Sequence, residues 1–222
     1  MPPRPAAPAL KPAPHSVPYN LGVLALGAGL VGLALAYGID AAVRTAPNAG
    51  NGETVVARSL GGRELTIPIS WLRAETDPTA GFAKQIDLTL TLPLGPNGAP
   101  EAIAVTLLPR SQVRPSSSLL DGVYLHQFMP EQLSGPPGLI GKPLVAEDGY
   151  ADETVWYDPI SSNPFVAKCI APVSGETVSR CVRSVYLGAG VAAIYDFQID
   201  ALQGWRGFDA AIREPMGRIG AL

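Results

Sequence analysis

Three hydrophobic periods divide the chain. The first is no period at all: Leu21–Ile39, LGVLALGAGLVGLALAYGI, is nineteen residues without a charge. As a helix rising 1.5 Å per residue it is roughly 28 Å long, close to the thickness of a bilayer's hydrocarbon core. Tyr19 and Tyr37 flank it, as aromatic residues do at membrane interfaces. The second period is two. In Gln85–Leu94, Ile86, Leu88, Leu90, Leu92 and Leu94 alternate with polar residues, which predicts a strand with one buried and one wet face. The third is three to four: Leu202, Trp205, Phe208 and Ile212 form one apolar stripe, which predicts a helix laid on a sheet.

The remaining elements follow from alternation and turn chemistry. Thr54–Arg58 and Glu64–Ser70 read as short strands, the second confined to an edge or an end by Pro68. Trp71–Glu75 reads as a helical turn. The turn residues of 95–100 predict that Glu101–Leu108 returns beside 85–94 as a hairpin. Leu119–Phe128 alternates and is expected as a strand, with His126 on one face. Met129–Asp152 is broken by Pro and Gly, but its Leu139, Ile140, Leu144 and Val145 predict that it packs. Glu153–Tyr157 reads as a strand. Phe165–Ala171, Val178–Leu187 and Val191–Ile199 read as a three-stranded meander, the last with Val191, Ala193, Tyr195, Phe197 and Ile199 inward. Asp200, with Gln203 three residues on, resembles a capping box, and Pro215 is expected to end the helix.

The expected organisation is a disordered Pro-rich tail (1–18), a transmembrane helix (19–39), a linker (40–52) and one exported β-rich domain (53–222). The fold class is α+β: a single N-terminal transmembrane helix, then an antiparallel β-rich domain with a C-terminal packing helix. Two alternatives compete for 21–39. Ala34-Leu-Ala36 resembles a signal-peptidase site, and a buried soluble helix is the third possibility. Ala25, Ala28, Gly29, Gly32 and Ala36 lie at small-residue spacing and would let two membrane helices approach closely. The positive-inside comparison is nearly balanced between Arg4 and Lys11 before the run and Arg44 and Arg58 after it. The short tail favours a cytoplasmic N-terminus and a periplasmic domain at a bacterial inner membrane.

Charge changes this picture by exclusion. All 19 acidic residues follow the apolar run, against 14 of the 16 basic ones. A mildly acidic domain without a basic cluster is a poor ligand for nucleic acid. The chain has two cysteines. If the turn between 165–171 and 178–187 centres on residue 175, Cys169 faces Cys181 across the hairpin, close enough to bridge. We therefore expect a Cys169–Cys181 disulfide and an oxidising compartment.

Chemistry is thin. The two histidines are His15, before the apolar run, and His126. A hydrolase would need His126 to pair with Asp121 and one of Ser116–Ser118, and no nucleophile elbow is present. Glu147/Asp148 and Asp152/Glu153 lack the offsets of a calcium loop. No catalytic residue, cofactor or metal site is expected. The function expected by elimination is a non-enzymatic accessory, assembly or scaffold subunit of an envelope complex. Its partners are the membrane and another membrane protein, or a second copy through the helix. The alternative is a periplasmic ligand-binding or hydrolytic domain using the 129–158 loop, with His126, Tyr150, Trp156 and Tyr157 around a ligand.

Overall fold

Alternation at period two builds two sheets in the computed structural model, which describes residues 53–73, 81–146, 152–172, 177–188 and 190–222. The tail, the apolar run with Ala25, Ala28, Gly29, Gly32 and Ala36, the linker, Glu147, Asp148 and Tyr150 all lie outside the described residues. Glu53–Leu222 is one compact unit.

The small sheet has the order β2-β1-β3, from β1 (Val55–Leu60), β2 (Arg63–Pro68) and β3 (Phe82–Ala83). Its β1–β3 pairing is parallel and only two residues long. Pro68 ends β2, which lies at an edge. A 3-10 turn over Ile69–Trp71 follows.

The large sheet has seven strands in the order β4-β5-β10-β9-β8-β7-β6. They are β4 (Ile86–Leu92), β5 (Glu101–Pro109), β6 (Ile140–Pro143), β7 (Glu153–Tyr157), β8 (Val166–Ile170), β9 (Arg180–Tyr186) and β10 (Val191–Gln198). Every neighbouring pair is antiparallel. Strands β6 to β10 form one meander, and β10 then pairs with β5 of the earlier hairpin. Ile86, Leu88, Leu90, Leu92 and Leu94 are all buried while Thr89 and Thr91 are exposed, so the period of two held residue by residue.

Helix α2 (Trp205–Arg218) covers one face of this sheet. Its Phe208 ring lies 5.0 Å from Phe197 and 5.7 Å from both Tyr195 and Phe165. Leu60, Leu65 and Ile67 of the small sheet join the same core, and the Thr66 N–H donates to the Ile219 carbonyl just past α2. On the other face, α1 (Ser116–Gly122) and the turn after it lay Leu120 and Tyr124 on Val155 and Val166.

Helix α1 replaces the strand expected over Leu119–Phe128. Leu120 and Tyr124 are four apart and buried, with Leu119 and Val123 beside them, a helical stripe that also reads as alternation. Pro115 at the cap position is extended and opens the helix (φ −66°, ψ 144°). A 3-10 turn over Tyr124–His126 completes the segment.

Two further expectations at the C-terminal helix are corrected. Asp200 and Gln203 form no capping box: Ile199–Gly204 is a 3-10 stretch, and α2 starts after Gly204 with no side-chain cap. A Cβ at Gly204 would lie 2.6 Å from the Leu94 carbonyl oxygen, so the helix starts where its backbone presses on the β4–β5 turn. Pro215 does not end α2, which continues to Arg218. It sits in the last turn, where its missing N–H frees a single carbonyl, and the apolar stripe continues through buried Met216 to Ile219.

Candidate functional site

Strand β9 carries one buried charge. Cys181 and Arg183 share the face turned to α2, and Arg183 is only 4% exposed. A guanidinium cannot shed its charge, so burial at this depth requires partners. Its Nη2 donates to both carboxylate oxygens of Asp209 on α2, at 2.8 and 3.0 Å. Its Nη1 reaches the Val166 carbonyl at 3.4 Å, a long contact, and its Nε is buried without a partner. The guanidinium carbon stands 4.5 Å from the centre of the Phe165 ring. The pair is asymmetric, because the Asp209 side chain is 57% exposed.

Directly across the ladder from Arg183 lies Tyr195 of β10, itself 1% exposed. Burial raises its phenol above the ordinary value of 10.0, and the Asp209 carboxylate adds to this while Arg183 opposes it. Tyr195 therefore keeps its proton at neutral pH. Arg183, Tyr195 and Asp209 border a cleft of about 370 Å3 between β9 and α2. Asn163, Ser117 and Arg213 supply further polar groups, and Ile212, Met216 and Leu187 supply apolar wall. Behind it the chain is stitched to β9 by buried serines. The Ser184 N–H donates to Ser116 Oγ at 2.8 Å, and Ser184 Oγ donates to the Arg114 carbonyl at 2.7 Å.

The cysteines stand where the hairpin register put them: Cys169 pairs with Cys181 in the ladder and the two are disulfide-bonded. The aromatic residues expected around a ligand are distributed differently. Trp156 and Tyr157 are neighbours on β7 and point to opposite faces. Trp156 belongs to the core under α2, where a Cβ at Gly141 would come within 2.7 Å of its ring. Tyr157 stacks on Phe128 on the α1 side, with ring centres 5.7 Å apart. His126 is exposed on its 3-10 turn, and Ser116 is buried against Ser184. The 129–146 segment packs, with Leu139 and Leu144 buried, and the Trp205 indole N–H donates to the Pro137 carbonyl at 3.2 Å.

Sequence reading missed Arg183, Asp209 and Arg213. The signal was present: an arginine in phase with Cys181 on an inward face, opposite a tyrosine already read as inward. Asp209 and Arg213 stand one helical turn apart beside the apolar stripe. Among the described residues, no group of three His, Cys, Asp or Glu side chains is placed to hold a metal ion, and no helix is long and apolar enough to cross a membrane. No family model matches the chain, and neither a curated protein nor a solved structure matches it.

Proposed function

We propose that the chain is a single-pass protein of a bacterial inner membrane. Its tail stays in the cytoplasm, and its β-rich domain works in the periplasm as an accessory, assembly or scaffold subunit of an envelope complex. The observation that carries this reading is the Cys169–Cys181 disulfide, which persists in an oxidising compartment and is rare in a reducing one. The uncharged run Leu21–Ile39 supplies a segment of spanning length upstream of that bridge. Gly29 and Gly32 within it supply a surface for close approach to a second membrane helix.

Protease treatment of spheroplasts with an intact inner membrane tests the placement. The expected result is digestion of the domain from outside, with the residual fragment retained in the membrane after alkaline carbonate washing. A protected domain with two free thiols rejects the export. A mature mass beginning after Ala36 rejects the anchor. Purification in mild detergent tests the assembly role: a partner at fixed stoichiometry is expected, lost on replacing Gly29 and Gly32 with Leu. A monomer in both forms rejects that role.

A further inference from the structure

We infer that the cleft between β9 and α2 is a binding site for a small monocarboxylate with a compact apolar body, and that Asp209 occupies the ligand's place when the site is empty. This is independent of the compartment and of any membrane partner. Its volume of about 370 Å3 lies at the small end of ligand pockets. The charged side chains of the lining are two guanidiniums, Arg183 and Arg213, and the carboxylate of Asp209; Leu222 also lines the cleft, and its main-chain oxygen accepts from Arg63 Nη2. Among the described residues Arg213 is exposed and makes no ion pair or hydrogen bond, so its charge is uncommitted.

Arg183 shows how a carboxylate docks here. Both Asp209 oxygens fall on Nη2, and Nε is left buried without an acceptor. A guanidinium presents Nε and Nη2 as a fork matched to the two oxygens of a carboxylate. A ligand carboxylate on that fork satisfies the orphaned Nε–H, which Asp209 does not. Asp209, more than half exposed, is then released to water and can turn toward Arg213 one helical turn on. The rest of the ligand lies against half-buried Val185 and Leu187, with the buried Ile212 and Met216 side chains just beneath, and Asn163 offers a polar group at the rim. One uncommitted cation and a wall that is half apolar suit a monoanion with an apolar body better than a hydrated dianion such as phosphate.

The test uses the full-length protein in a non-ionic detergent, with benzoate as the probe and benzamide as its uncharged counterpart. Binding is read by calorimetry and by the methyl resonances of Met216 and Ile212. The expected result is that benzoate binds and shifts both methyl groups, while benzamide does neither. Arg213→Ala should weaken benzoate about 10-fold, and Asp209→Asn, which removes the internal competitor's charge, should strengthen it by a similar factor. Arg213 is exposed, so its variant keeps the fold and the inference stays testable if Asp209→Asn is unstable. Equal binding of benzoate and benzamide overturns it, as does an Arg213→Ala variant that binds like the parent. So does inorganic phosphate displacing benzoate at equal concentration. Methyl resonances that stay fixed up to about 10 mM benzoate overturn it as well.

Discussion

Arg183 and Tyr195 set a buried guanidinium directly across the ladder from a buried phenol. The phenol is held neutral by burial, with the Asp209 carboxylate reinforcing it. The folded state therefore binds the Tyr195 proton more tightly than the unfolded state. The stability this confers is complete below the unfolded value of 10.0 and is lost as pH rises above it. Tyr195→Phe should remove that loss. Unfolding free energies from urea titrations between about pH 9 and about pH 11.5 should fall less steeply in the variant, by at most about 1.4 kcal/mol per pH unit. Identical slopes would show that the phenol ionises equally easily in both states. A single-residue view also explains why this centre escaped the sequence reading. The sequence reading assigned no face to the residues of 178–187 beyond setting Cys181 opposite Cys169, and the phase of Cys181 places Arg183 inside.

Elements were legible where one physical signal stood alone. The β4–β5 hairpin and the three-stranded meander appear with their inward residues as read except Ile199, which lies half-buried in the 3-10 stretch past the end of β10, and β7 spans Glu153–Tyr157 as expected. Errors arose where two signals overlapped. Between 116 and 126, a helical pair at positions 120 and 124 also satisfies alternation, and only its packing on Val155 and Val166 decides. At the start of α2, a cap-like Asp200 competed with the close approach that Gly204 permits, and the approach won. Two predictions belong to this scale. Ser116→Ala removes the acceptor of a buried N–H and should cost about 1–3 kcal/mol in urea unfolding, while Ser118→Ala, on the exposed side of the same helix, should stay within about 0.5 kcal/mol. Replacing Cys169 and Cys181 together with Ala should cost about 3 kcal/mol for a loop of this length, and reductant should bring the parent to the same midpoint. A reductant-insensitive parent with the variant's stability would show that the bridge contributes nothing.

At the scale of the whole molecule, the sequence reading supplied the class, an antiparallel β domain closed by a C-terminal helix, and not the strand order. Nothing in the alternation of residues 191–198 says that this strand lies between β9 and β5. That neighbour relation is a long-range choice, made by matching Val191 and Ala193 to Pro109 and Leu107. The cleft is the product of the same choice, since β10 brings Tyr195 beside Arg183 and α2 follows at once to bring Asp209.

The late arrival of β10 also sets an order of events. Until residues 191–198 are available, the β4–β5 hairpin offers β5 as a bare hydrogen-bonding edge with Ile103, Val105 and Leu107 uncovered, and the meander offers β9 in the same way. Cys169 and Cys181 meet within the meander and can bridge before the two halves join. A nascent chain halted before Val191 therefore holds two sticky half-sheets, one of them covalently locked, and a chain stopped there should partition into aggregates however well each half is formed. Closing the sheet is the work of about the last fifth of the domain, so its quality control falls on its C-terminal residues.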